Sequence, residues 1–188
     1  MLTPQLFQEN TKAQHILCLG AHCDDIEIGC GGAILDILKN NSNVTITWVV
    51  FSSTEARKLE AEMGAELFTK NAKQLDLRIL EFRDGFLPYS GLEVKEAFEK
   101  IKAEIKTPDL IFTHYRNDLH QDHRKVSELT WNTFRNHMIL EYEIPKWDGD
   151  LSTPNTYVQL SENIGKQKIT YLQQAYNTQQ TKKWFTDD

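Results

Sequence analysis

From Ile16 to Asn136, short apolar runs alternate with longer stretches whose apolar residues recur at helical spacing. Ile16–Leu19 reads as a buried strand, followed by an amphipathic helix from about Gly32 to Asn40. Val44–Phe51 is β-branched and aromatic, as a strand covered on both faces should be. A helix is predicted from about Thr54 to Leu75, with Ser52 and Glu55 at capping-box spacing. Leu77–Phe82 is a third strand, and Ser90 and Glu93 repeat the capping signature before a helix that runs to about Ile105. Leu110–Thr113 supplies a further strand, and His123–Phe134 a further helix. This alternation predicts right-handed crossovers and an α/β fold: a Rossmann-like three-layer sandwich on a mainly parallel sheet.

After Asn136 the rhythm changes. Met138–Tyr142 and Thr156–Leu160 read as strands on either side of a Pro/Trp/Asp/Gly loop, and a polar helix from about Ser161 to Asn177 follows. This short strand-helix extension is too small for its own core, so residues 1–188 are expected to form one domain.

Composition narrows the function classes. A net charge of −6 and the lack of a Lys/Arg block argue against nucleic-acid binding. No apolar stretch approaches the roughly 20 residues needed to cross a bilayer. The polar start, Met1 to Gln14, has no signal-peptide core. Cys18, Cys23 and Cys30 are odd in number and crowd the first strand unit, a poor disulfide framework, so a cytoplasmic location is expected. A homo-oligomer is compatible with all of this.

Two clusters carry the chemistry. His22-Cys23-Asp24-Asp25 follows the first apolar run, and His120-Gln121-Asp122-His123 follows the Leu110–Thr113 run. In a parallel sheet such strand exits gather along one edge, where open α/β sheets place their sites. His22 and Asp25 can point into one pocket, and His123 supplies a third ligand, leaving one coordination position for water. Adjacent carboxylates are costly unless a cation neutralises them, which also argues for an ion. Zinc is the expected occupant, and iron(II) the alternative, since a His/Asp/His set suits both. Asp24 is then free to take a proton from water. His120 would stabilise an oxyanion or protonate a leaving amine, with Asp122 fixing an imidazole tautomer.

Rival readings fit less well. Gly29, Gly31 and Gly32 do not follow the strand directly, as a dinucleotide fingerprint requires, and two carboxylates stand in the phosphate position. The glycines are better read as allowing close packing of the first helix. A structural zinc site on Cys23 and Cys30 would leave His123 and both carboxylates unexplained. His15 and His137 are expected at the surface, whereas His114 either supports the site or is a satisfied strand-end histidine. Specificity is expected in three loops: Arg83–Phe86, Tyr115–Asp118 and Lys146–Asp150. Asp118 and Trp147 are the candidate substrate contacts there: Asp118 could meet either substrate or the His120 imidazole, and Trp147 either stacks on a substrate ring or pins its loop.

Ala21-His22-Cys23-Asp24-Asp25, then Gly29-Cys30-Gly31-Gly32, together with Asn117-Asp118-Leu119-His120-Gln121-Asp122-His123, resembles the LmbE-like, or PIG-L, deacetylases. The resemblance runs from Ile16 to about Gln180. It implies a Rossmann-like zinc hydrolase that removes the N-acetyl group from an N-acetylglucosamine-type sugar or conjugate. It also implies His22, Asp25 and His123 as ligands, Asp24 as general base, and His120 supported by Asp122 as acid or oxyanion stabiliser. Arg57, in Arg57-Lys58-Leu59-Glu60, would contact substrate. Cys23 replaces the family's usual proline, a change that leaves ligation intact. The alternatives are hydrolysis of another amide or ester, and a metal-binding module without deacetylase activity.

Overall fold

The computed structural model describes residues 14–182 and residue 185. Five parallel strands form one sheet in the order β3-β2-β1-β4-β5. They are β1 (Gln14–Gly20), β2 (Val44–Ser52), β3 (Gln74–Phe82), β4 (Leu110–His114) and β5 (Ile139–Tyr142). The chain starts in the middle, winds outward to β3, then returns to the other side of β1 for β4 and β5. The topological switch point therefore lies between β1 and β4, which pair at Ile16↔Leu110 and Cys18↔Phe112.

Both faces of the central strands are buried, and side-chain alternation sorts them into two cores. Ile16, Cys18, Ile46, Trp48 and Val50 point to one face, where they meet Phe68, Tyr171 and Tyr176. That face is covered by α1 (Asp25–Gly29), α2 (Gly31–Asn40), α3 (Glu55–Thr69) and α6 (Glu162–Ala175). Leu17, Leu19, Val49 and Phe51 point the other way, toward Phe98, Val126 and Phe134 on and around α4 (Gly91–Glu104) and α5 (Gln121–Thr133). The Phe51 and Phe98 rings stack at 4.8 Å. The glycines after β1 are spacers, as their sequence position suggests. A Cβ on Gly29 would lie 2.1 Å from the Tyr142 ring, and one on Gly31 would lie 2.5 Å from Phe68.

The elements depart from expectation in four places. The helix after β2 stops at Thr69, and β3 begins at Gln74 as an edge strand. Neither capping box forms: Ser52 belongs to β2, and Ser90 ends a 3₁₀ turn (Leu87–Ser90) that leads into α4 without a side-chain cap. Thr156–Leu160 is not a strand beyond one bridge residue, Thr156. Leu160 rests on Gly32 of α2, so this segment crosses a helix instead of extending the sheet beyond β5. His15 is not a surface residue. It lies in β1, 8% exposed, between the Lys106 carbonyl and the Thr47 hydroxyl.

Candidate active site

The two motifs meet where β1 and β4 end. Beyond β1 the chain turns at His22–Asp24 and enters α1 at Asp25, whose carboxylate accepts the His22 backbone N–H at 2.7 Å. Beyond β4 a loop delivers His120 to the N-cap of α5, and His123 follows in its first turn. His22 Nδ1 and His123 Nε2 face each other at 3.2 Å. Asp25 Oδ2 lies 3.3 Å from the first nitrogen, and Oδ1 lies 3.5 Å from the second. Ligands about 2.0–2.1 Å from a tetrahedral ion sit about 3.3–3.4 Å apart, close to the His22–His123 spacing, while Asp25 presents a different oxygen to each nitrogen. Overlapping groups that could hold an ion are His22/His120/His123, Asp25/His114/His123 and His22/Asp84/Asp122.

Electrostatics favour positive charge at this point. Burial would push the Asp25 carboxyl up, but His123, His114 and His22 around it hold it well below the usual carboxylate range. Burial likewise opposes charge on His22, yet Asp25, Asp122 and Asp84 raise it well above its usual value. His123 is held at about 9, against the effect of burial, by Asp25 and Asp118. The carboxylates around these imidazoles thus favour positive charge between them.

His114 is fully buried. Its Nε2 lies 2.9 Å from the Ala21 N–H and 3.1 Å from Asp25 Oδ2, its ring stacks on His123 at 4.0 Å, and burial lowers it to about 4. It is a neutral wall behind His123. Tyr142, for which the sequence carries no signal, completes that wall by donating to the Leu19 carbonyl at 2.7 Å.

Several candidate residues stand elsewhere than expected. Asp122 does not support the His120 ring with its carboxylate. It accepts from Gly85 N–H (2.7 Å) and Leu87 N–H (3.1 Å) and lies 3.3 Å from His22 Nε2, so it orients His22 and anchors the loop after β3. Asp118 is 2% exposed and does not line the cleft beside the two motifs. Its Oδ2 accepts from His123 Nδ1 at 2.9 Å, while Oδ1 takes the His120 N–H at 2.7 Å and Lys146 Nζ lies 3.0 Å away. Asp150, in one of the loops expected to carry specificity, is engaged by Lys146 (2.7 Å) and the Leu119 N–H (2.6 Å). Arg57 lies against Asp24, with Nη2 2.9 Å from Oδ2.

The remaining candidates line an open cleft of about 660 Å³. Asp24, Asp25, His22, His120 and His123 form its floor, and Arg57, Asp84 and Trp147 contribute to its walls. Trp147 is 74% exposed there. Burial raises the Asp24 carboxyl above its usual range in spite of Arg57. His120 Nδ1 accepts the Asp122 N–H, so a neutral ring carries its proton on Nε2. Burial, with His123 and His22 nearby, lowers His120 and keeps it neutral. Cys18, Cys23 and Cys30 are free and buried.

The same fold recurs in solved structures. The conserved protein TT1542 from Thermus thermophilus matches with a TM-score of 0.68 at 19% identity, over 90% of this chain and 82% of that one. N,N′-diacetylchitobiose deacetylase from Pyrococcus horikoshii matches with a TM-score of 0.63 at 24% identity, over 86% of this chain and 69% of that one. The 4-carboxy-2-hydroxymuconate hydratase GalB from Pseudomonas putida KT2440 also shares it, with a TM-score of 0.62 at 14% identity, over 92% and 82%. At such identities the likeness is one of fold, and a fold that also serves a hydratase does not choose the reaction. The sequence is more specific: the PIG-L family model, described as GlcNAc-PI de-N-acetylase, matches residues 17–134 and so spans both motif clusters. The chain belongs to the PIG-L family.

Proposed function

We propose that this protein is a metal-dependent N-deacetylase that hydrolyses the acetamide of an N-acetylglucosamine-type sugar or conjugate. The observation that carries the reading is the His22, Asp25 and His123 donor set, with separations of 3.2–3.5 Å, opening onto a cleft that also presents Asp24 and His120. His22 through Nδ1, His123 through Nε2 and the Asp25 carboxylate would hold the ion, zinc or iron(II). When bound, it supplies Lewis acidity toward the amide carbonyl and lowers the pKa of a coordinated water to about 7.

The chain's own groups do the rest. Asp24 takes the water proton, and its raised pKa makes it a stronger base than an exposed carboxylate. His120, neutral with its proton on Nε2, donates a hydrogen bond where negative charge develops on the carbonyl oxygen. The proton taken by Asp24 passes to the departing amine. Asp118 and Asp122 hold His123 and His22 in their rotamers and tautomers. Trp147 offers an aromatic face to the sugar ring. Free, buried cysteines fit a reducing compartment, which we take to be the cytoplasm. No described helix is long and apolar enough to cross a membrane.

The test is a screen of metal-loaded protein against N-acetylglucosamine, N,N′-diacetylchitobiose and N-acetylglucosaminyl conjugates, assaying acetate and free amine. Both products are expected in equal amounts from at least one of them, with about one divalent ion per chain. Turnover of an ester or a non-sugar amide, with none of these sugars, would move the activity to another bond. Metal-free protein that deacetylates at full rate would overturn the mechanism.

A further inference from the structure

Asp24 is not held by its own loop. Its partner is Arg57 on α3, and Arg57 is in turn held by a turn from the opposite end of the chain. Beyond α6, residues Asn177–Gln179 form a 3₁₀ turn that packs on α3. The Thr178 backbone N–H donates to Glu60 Oε1 at 2.7 Å, and the Thr178 hydroxyl donates to Glu60 Oε2 at 2.8 Å. Arg57 Nη1 donates to the same Glu60 oxygen at 2.6 Å and to the Thr178 hydroxyl at 3.2 Å. Gln179 Nε2 adds a further bond to that hydroxyl at 2.8 Å. The hydroxyl's one proton and both lone pairs are thereby used. Tyr176 lies beneath, its ring centroid 5.4 Å from the Arg57 guanidinium carbon and its hydroxyl on the Cys23 carbonyl and the Glu27 carboxyl.

We propose that the turn after α6 belongs to the active site: Thr178 positions Arg57, and through it Asp24. An arginine has a long flexible stem but a rigid planar fork. With Nη1 fixed between Glu60 and Thr178, Nη2 is directed at Asp24 Oδ2 at 2.9 Å. Glu60 and Asp24 each hold one nitrogen of the fork, and Thr178 adds a second acceptor on Nη1 that resists its rotation away from Asp24. Glu60 is 8% exposed, and Thr178 supplies two of the donors its buried carboxylate requires. The turn lies beyond residues 17–134, so this support comes from outside the segment that the family model matches. Its catalytic consequence rests on the reading of Asp24 as the base; its structural content does not.

Thr178→Val removes the hydroxyl at nearly constant shape, and Thr178→Ser restores it. The first readout is NMR of ¹⁵N-labelled arginine side chains, with Arg57 assigned by its disappearance in Arg57→Lys. Wild type and Thr178→Ser should show slow guanidinium rotation for Arg57, and Thr178→Val fast rotation. The second readout is acetate release from N-acetylglucosamine. Thr178→Val should lower kcat about 2- to 10-fold with KM within about twofold, and Thr178→Ser should recover kcat. Unchanged Arg57 rotation in Thr178→Val overturns the proposal, whatever the activity. A raised KM at constant kcat also overturns it, because Arg57 would then serve substrate binding and not Asp24. Loss of slow rotation in a protein that never releases acetate retains the positioning role and removes the deacetylase reading.

Discussion

Asp118→Asn separates the charge of one buried carboxylate from its shape. Oδ1 of Asp118 faces two donors, the His120 N–H at 2.7 Å and Lys146 Nζ at 3.0 Å. The asparagine must therefore place its oxygen there, which turns its NH₂ toward His123 Nδ1, where Oδ2 of the native residue accepts at 2.9 Å. Nδ1 is then forced to accept, and the imidazole proton moves to Nε2, the nitrogen that faces His22 and Asp25. A ligand nitrogen carrying a proton cannot bind an ion. Binding requires either the disfavoured tautomer or a flipped amide opposed by two donors. Loss of such support typically costs about 10- to 100-fold in metal affinity. At 1.36 kcal/mol per tenfold, this is about 1.4–2.7 kcal/mol. Lys146 keeps Asp150 as a partner, so the fold should persist. Competition between the apo-protein and a chelator of known affinity measures the difference, with thermal melts of both apo-proteins as control. An affinity within twofold of wild type, at unchanged melting temperature, would refute the tautomer argument.

Other perturbations reach separate parts of the molecule. Gly29→Ala sets a Cβ 2.1 Å from the Tyr142 ring and should cost about 1–3 kcal/mol, read as a lower melting temperature; an unchanged melt would mean the ring moves freely. His15, buried and neutral, has its pKa lowered from 6.5 chiefly by burial, so the unfolded chain binds the proton more readily. The His15 contribution to stability should therefore be flat above about pH 6.5 and fall as pH drops below it, and His15→Asn should reduce that part of the acid loss in denaturant titrations of chelator-treated protein. Asp24→Ala should keep its metal by elemental analysis yet lose about 10²- to 10⁴-fold in kcat. Loss of the metal as well would mean that Asp24 is itself a ligand. Trp147→Ala should raise KM more than it lowers kcat, because a stacking face binds ground and transition states alike; unchanged KM with a lower melting temperature would make the residue structural.

The strand exits are legible in the sequence because the signal is local: an apolar run followed at once by His22-Cys23-Asp24-Asp25, and another shortly before His120-Gln121-Asp122-His123. The same alternation of runs makes the parallel sheet legible. The partner of each polar side chain is not, because it is set by contacts between distant segments. Sequence proximity pairs Asp122 with His120, but helical geometry carries its carboxylate across to His22, 100 residues away. Asp118 looks available in a polar loop, yet Lys146 and His123 enclose it. Thr156–Leu160 has the composition of a strand, but Leu160 settles on the bare surface of Gly32. Nothing near Arg57 in sequence announces Thr178, which lies 121 residues away.

The order of the strands also bears on how the protein would acquire the proposed ion. β1 leaves the ribosome before β4, and their pairing awaits a stretch some 90 residues downstream. Such non-local pairing makes parallel sheets slow to form. His22 and Asp25 can therefore meet His123 only after β4 and the first turn of α5 have been synthesised and docked. A nascent chain ending before residue 123 offers at most two of the three proposed ligands, so ion capture would report the docking of β4 and α5. An ion held by His22, Asp25 and His123, as proposed, would clamp the seam between the outward-wound and returning halves of the sheet. Unfolding that opens this seam must release it, and resistance to such opening then rises with the free ion concentration in the surrounding solution.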